Sequence, residues 1–401
     1  MRVYQLNTFC GIKSTGRIAW EICKLVLRDG GEVRFGYGSE EPSSEAAPYA
    51  YRTAGKLDRK VHGAIRKLLD GEGYGSLMAT RALIRDIKAF QPDLIHLHNI
   101  HGAYLHLPTL FRYFATVDTP IVWTLHDCWP FTGHCAYFDA SGCDRWLTEC
   151  HHCPSLAQYP ICKGVDGSRR NHRMKKKVLS KPRNMTFVVP CQWLQGNLVR
   201  SHLGHYPCRV IYNGVNLSQF RPVASDLRQR YGLENRKIVL AVASDWDERK
   251  GLPHLEEAAR QLGSDYCFVV IGLSAQQVAA LPEGMLGLTH TANVEELAAW
   301  YSAADCFANP TLEDNMPMVN LEALACGTPI AVFATGGCPE AVTEECGIVI
   351  PKGDQQGLCD AIEKLCQESA ERKSACIERS KAFDCDLTFR SYLSLYKELC
   401  Q

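Results

Sequence analysis

Apolar residues along the chain fall into short runs set off by glycine, proline and polar clusters, with stretches of helical spacing between them. RVYQLN opens at Arg2 and EVRFGYG at Glu32, and DLIHLHNIHG, PIVWTLHDCW, KIVLAVAS, CFVVIG, DCFANP and PIAVFA repeat the pattern further on. Runs of that length, bounded in that way, read as buried strands. After the first, the loop TFCGIKSTG leads to a helix opened by Arg17, with Ile18, Ile22, Leu25 and Val26 on one face and Gly30 and Gly31 at its end. LIRDIKAF and VNLEALAC are further helices, and residues 40–75, rich in Ser, Pro, Gly and charge, read as a long excursion. Strands alternating with helices predict parallel α/β sheets, which bind ligands beyond the carboxyl ends of their strands.

The polar residues at those ends are the candidate chemistry. DCFANP is closed by Pro310, and the turn TLEDNM carries Glu313 and Asp314. Pro317 is expected at the first helical position, where a missing N–H costs nothing. Gly327 stops that helix, and ATGGCPE is a glycine turn leading from PIAVFA into another helix. Asp314 and Glu322 are separated by seven residues, and Glu322 sits in the apolar run VNLEALA. A carboxylate there needs a partner, and a ribose diol is one; an ordinary exposed helix position is the other reading. The helix N-terminus offers N–H groups to a diphosphate. Arg249, Lys250 and Gly251 lie at a strand-to-helix junction, where basic residues oppose the dipole and ask for an anion. His96, His98, Asn99 and His101 end one strand, and His126 and Asp127 another. A histidine so placed is as often a structural hydrogen-bonder as a catalyst, but two such strands in one half favour a site.

Length and charge narrow the class. A chain of 401 residues predicts two domains of near-equal size. Lys plus Arg and Asp plus Glu are both 44, so no overall field favours nucleic acid. MRVYQLNTFC holds no long apolar signal segment and no run approaches a membrane span, so the 20 cysteines are expected to stay reduced in the cytosol. Cys135, Cys143, Cys150 and Cys153, spaced C-x7-C-x6-C-x2-C, suggest a structural zinc held by four thiolates, with free thiols and disulfides as the other readings. The run RRNHRMKKKVLSKPR carries Arg169, Arg170, Arg173, Lys175, Lys176, Lys177, Lys181 and Arg183. It reads as a solvated helix face or as a patch for an anionic membrane.

The window with Asp314, Glu322, LEALACGTPI and GGCPE resembles the donor-site signature of the family 4 retaining glycosyltransferases, and WTLHDxWxxTGxC with the following cysteines resembles their colanic-acid and exopolysaccharide branch. The resemblance covers most of the chain. It implies an α/β GT-B fold, two Rossmann-like domains facing a central cleft. The expected domains are 1–204 with a Cys-rich insertion near 128–162, 205–385, and a terminal helix 386–401 crossing back to the first. It implies a hexosyl transfer from a UDP- or GDP-linked sugar to a carbohydrate or lipid-diphosphate-linked acceptor, with no cofactor required for catalysis. His126, Arg249, Lys250 and Asp314 or Glu313 would be catalytic. Gly11, Ser14, Gly16, Asn315, Met316, Met318, Val319 and Glu322 would bind the donor, and His98, Asn99 and His101 would lie on the acceptor side. The enzyme would be cytoplasmic, held peripherally at the inner membrane face by residues 169–183. Two departures stand out: Asp314 occupies the place of the first Glu in E-x7-E, and Ser244 and Asp245 stand where the family has Gly-Arg. They make a sugar- or lipid-binding partner without turnover one alternative; a GT-B nucleotide-sugar epimerase, acting without an acceptor, is the other.

Overall fold

The computed structural model describes residues 1–401, which divide into two compact units, 1–211 with 389–401 and 212–388. In the first, β1 (Arg2–Asn7), β2 (Glu32–Tyr37), β3 (Ala50–Arg52), β4 (Leu94–Leu97), β5 (Ile121–Thr124), β6 (Met185–Val189) and β7 (Cys208–Val210) form one parallel sheet in the order β3-β2-β1-β4-β5-β6-β7. Val3 pairs with Val33 on one side and with Leu94 on the other. β4, β5 and β6 are buried at every position, as strands must be when helices cover both faces of the sheet.

The second unit repeats the plan. β8 (Lys237–Val242), β9 (Tyr266–Ile271), β10 (Leu286–Leu288), β11 (Cys306–Asn309), β12 (Ile330–Phe333) and β13 (Gly347–Ile350) are parallel, in the order β10-β9-β8-β11-β12-β13. Val239, Ala241, Phe268, Val270, Ala308 and Phe333 meet Leu255 and Ala258 of helix Leu252–Leu262 and Leu358, Ile362 and Leu365 of helix Gln355–Gln367. In each unit the strand order reverses beside its first strand, between β1 and β4 and between β8 and β11. Such reversals open a crevice at the carboxyl ends of the two strands.

Several expectations are corrected. Residues 40–75 are not a bare excursion: they hold β3 and the helix Lys56–Leu69. The first helix begins at Lys13 rather than Arg17, so Ser14 and Gly16 lie within it. Pro317 is the N-cap, not the first helical residue, of helix Met318–Ala325, and GGCPE leads only to a 3-10 turn over Cys338–Ala341. The division between units follows Ile211 rather than residue 204, because β7 still pairs with β6.

Candidate active site

The reversal in the second sheet gathers the residues that the spacing singles out. β8 runs out into 243–250 and β11 into the turn 310–317. Lys250 Nζ donates to Asp314 Oδ2 at 2.6 Å, and both side chains are largely shielded from solvent, at 22% and 16% exposure. Asp314 Oδ1 also accepts from the Asn315 backbone at 2.8 Å. Arg249 turns outward to Asp247, with Nε to Oδ2 at 3.0 Å, and it also donates toward the Glu313 carbonyl. Glu313 is buried, Ser244 and Asp245 exposed.

Two glycines allow these loops to approach. Gly251 has φ +75°, and a Cβ there would lie 2.1 Å from the Pro310 carbonyl oxygen. Gly336 has φ +55°, and its Cβ would lie 1.8 Å from the Asp314 carbonyl oxygen. The Gly337 amide bonds the Asn315 carbonyl at 2.6 Å, so the glycine turn after β12 clamps the turn after β11. Asn213 Nδ2 fixes the Met316 carbonyl at 2.9 Å, and Asn309 bonds Asn320 across the helix start at 2.8 Å. Met316 and Asn315 are buried, while Met318 and Val319 are half-exposed in the first turn of a helix that has no side-chain cap. First-turn amides without a side-chain cap, at the positive end of the dipole, suit an anion. Glu322 is half-buried on the same helix, and Tyr301 Oη donates to its Oε2 at 2.9 Å.

In the first unit the reversal brings Gly11 near the ends of β1 and β4. Gly11 has φ +68° and its N–H bonds Gly16 at 3.2 Å; a Cβ on Gly16 would meet the Phe9 carbonyl at 2.9 Å. Ser14 is exposed in the first helical turn. Beyond β4 and β5 lies a chain of imidazoles. Gln5 Nε2 donates to Tyr396 Oη at 3.3 Å, which turns Gln5 Oε1 to His98 Nε2 at 2.8 Å. His98 therefore carries its proton on Nε2, and its Nδ1 accepts from His126 Nε2 at 3.0 Å. In neutral His126 the proton is then on Nε2. Burial pushes the His126 imidazole down to about 4, and holds His96 and His98 well below the usual range. His96 bonds Tyr396 and, at 2.8 Å, Thr124, which donates to Tyr392.

His101 is a bridging residue. Its Nε2 meets Asp127 Oδ2 and its Nδ1 meets Tyr159 Oη, each at 2.8 Å. Burial pushes the Asp127 carboxyl up, but His101 and the Trp129 amide hold it below its ordinary value. Asn99 contributes backbone: its N–H bonds Asn7 and its carbonyl accepts from Thr8 and Tyr104.

Cys135, Cys143, Cys150 and Cys153 line one small pocket of about 10 Å³ with His134 and His151. Gly133 N–H points at Cys150 Sγ at 3.2 Å, and Cys135 hydrogen-bonds Cys153. The cysteines are free thiols, and as they stand no three His, Cys, Asp or Glu side chains are placed to hold a metal ion.

The basic run 169–183 is not one solvated face. Lys175 is buried, donating to the carbonyls of Trp129 at 2.6 Å and Thr132 at 3.1 Å, 3.5 Å above the Trp129 ring. Burial lowers its ammonium to about 7. Arg169 and Arg173 pair with Glu149, and Arg170 donates to the Leu69 and Asp70 carbonyls. The helix Ser168–Leu179 is thus amphipathic, with Lys175 turned inward and Lys176 and Lys177 exposed.

Sequence reasoning missed Gln5, Tyr301, Tyr392, Tyr396 and Asn213. A tyrosine in an apolar helix reads as core, although its hydroxyl must find a partner there, and that need was the available signal.

Comparison with known proteins identifies the family. Residues 15–219 match the family model described as Glycosyltransferase Family 4, and residues 236–368 the model described as Glycosyl transferases group 1. A relative named as a colanic acid biosynthesis glycosyl transferase, WcaC of Escherichia coli K12, is 24% identical over 361 residues, 86% of each chain. D-inositol 3-phosphate glycosyltransferase of Mycobacteroides abscessus is 30% identical over 201 residues, 47% of this chain and 45% of its own. Sucrose-phosphate synthase of Thermosynechococcus elongatus aligns with TM-score 0.73 at 19% identity over 99% of this chain and 98% of its own. HepE of Anabaena, in complex with UDP, aligns at 0.67 with 16% identity over 99% of both chains.

Proposed function

The chain belongs to glycosyltransferase family 4 and has the GT-B fold, and on that premise we propose that it moves a sugar from a nucleoside-diphosphate donor to a carbohydrate acceptor in polysaccharide synthesis, with retention at the anomeric carbon. The observation that carries the reading is Lys250 at 2.6 Å from Asp314, at the strand-order reversal of the second sheet. The cation is preorganised by the carboxylate and lies near the uncapped start of helix Met318–Ala325. A diphosphate there would meet an ammonium and helix amides together, the combination that stabilises charge on a departing phosphate. Glu322, its rotamer held by Tyr301, would take the ribose hydroxyls. His126, which matches the family histidine facing the donor sugar, would lie beside the sugar. No residue stands out as a covalent nucleophile, so retention would come from attack on the leaving-group side, the departing phosphate helping to take the acceptor proton.

The comparisons support the donor class: the HepE structures contain UDP and UDP-glucose, and WcaC is named for colanic acid. We extend the reading to a UDP- or GDP-linked sugar as donor and a free or lipid-linked glycan as acceptor. A zinc ion on the four thiolates would draw together side chains already around one cavity. Elemental analysis of protein purified without chelator tests it: about one equivalent supports it, and less than about a tenth leaves a packing feature.

One observation favours a binding partner without turnover: Lys250 and Arg249 are each already paired with an aspartate. Incubation with a panel of nucleotide sugars, with and without glycan acceptors, followed by NMR of the products, separates the readings. Acceptor-dependent product with retained configuration supports transfer. Conversion without acceptor would mean epimerisation, and binding without conversion would mean a partner.

A further inference from the structure

The helix Lys56–Leu69 carries a polar contact face and a bare apolar one. Its inner side is held by His62, buried, with Nδ1 bonded to Ser76 Oγ at 3.0 Å and Nε2 accepting from the Gly73 and Gly75 amides at 3.3 Å. On the outer side Leu57 is 76% exposed, Val61 54%, Leu68 60% and Leu69 50%. Positions 57, 61 and 68, with exposed Ala64 between, form one stripe along a helix. Lys56, Lys60 and Lys67 are exposed around it. The helix has a single carboxylate, Asp58, and that is turned to Ser76.

The stripe continues onto a second segment. Lys163 and Val165 donate their N–H groups to the Lys67 and Leu68 carbonyls at 2.8 and 2.9 Å. The approach is so close that a Cβ on Gly164 would lie 2.0 Å from the Leu68 carbonyl oxygen. This pins exposed Ile161, Lys163 and Val165 beside the last helical turn. The chain spends backbone hydrogen bonds to hold apolar side chains in water.

We propose that this surface, helix Lys56–Leu69 with loop 161–165, docks the protein on an anionic lipid bilayer. Contiguous apolar exposure on this scale marks an interaction surface rather than ordinary surface scatter. Interleaved lysines without a free carboxylate choose the partner: an amphipathic helix of this composition lies in the headgroup plane, its apolar face in the acyl boundary and its lysines on anionic headgroups. A second copy would set the same lysines against one another, because a two-fold contact pairs a surface with itself. No helix of the chain is long and apolar enough to cross a membrane, so association would be interfacial. The docking face is thus distinct from the basic run 169–183, whose central lysine is buried.

Sedimentation of the full chain with vesicles tests it. Wild type is expected to bind vesicles containing phosphatidylglycerol and to bind pure phosphatidylcholine several-fold less. Leu57→Ser with Val61→Ser and Leu68→Ser should lower binding on the order of tenfold or more, since the side chains are exposed and the fold does not need them. Lys56→Gln with Lys60→Gln and Lys67→Gln should remove the preference for anionic lipid. Lys176→Gln with Lys177→Gln and Lys181→Gln should leave binding unchanged. The proposal is overturned if wild type does not sediment with anionic vesicles, if the serine variant, folded by circular dichroism, binds as wild type does, or if only the 176–181 variant loses binding. It is equally overturned if wild type is a dimer that the serine variant turns into a monomer, because the stripe would then be a self-association surface.

Discussion

Lys250 is the residue to which the proposed chemistry assigns most. Its ion pair with Asp314 is partly shielded, so replacing it should cost the fold about 1 kcal/mol or less, while a group acting on transition-state charge should matter far more to rate. Lys250→Ala is expected to slow transfer by about 10²–10³-fold with a nearly unchanged urea midpoint. Equal loss of rate and stability would assign Lys250 to architecture. The histidines make a second prediction. The imidazole of His126 titrates near its ordinary 6.5 in the unfolded chain and near 4 in the folded one. Between those values the unfolded state binds more protons, so stability is complete above about 6.5 and declines as pH falls toward about 4. His96 and His98, shifted the same way by burial, add to that slope. Urea unfolding across this range should show the decline, and His126→Gln should flatten it; an unchanged slope would remove His126 from the network.

At the scale of elements, two glycine turns hold the loops proposed to receive the donor. Gly251→Ala and Gly336→Ala each place a methyl against a backbone carbonyl at a positive φ, and each should cost about 1–3 kcal/mol in denaturant unfolding. Activity should fall with them; an unperturbed midpoint would mean that the loops can give way. Much of this scale was legible in the sequence. Continuous apolar runs identified β11 and β12, and Gly327 marked the helix end between them. The seven-residue spacing set Asp314 on the turn and Glu322 on the helix. What was not legible is what only the folded chain brings together. Gln5 and Tyr396 are 391 residues apart, and no periodicity connects them. Lys175 stands in a run of cations that reads as surface, yet the amphipathic period of its helix turns it inward onto Trp129. The partner of Glu322 was expected in a ligand, and Tyr301 supplies one within the chain. The helix Lys56–Leu69 was hidden because its outward leucines interrupt the polar face that a surface helix usually shows.

For the whole molecule, Lys250, Asp314 and Glu322, which the proposal sets on the nucleotide, lie within residues 212–388, while Gly11, Ser14 and Gly16 lie in the other unit. A nucleoside diphosphate should therefore slow amide exchange in 244–252 and 310–325. At 100 times its dissociation constant it should add about 2.7 kcal/mol of stability. Protection confined to residues 1–211 would move the nucleotide site to the other sheet. The most direct test is calorimetric titration of UDP, GDP and ADP into wild type, Glu322→Gln and Lys250→Ala. One of the three is expected to bind wild type with one site per chain, about tenfold or more weaker in each variant, because Glu322 would accept from the ribose hydroxyls and Lys250 would donate to the diphosphate. Binding of equal strength in all three proteins would contradict the placement of the donor beside Lys250, Asp314 and Glu322.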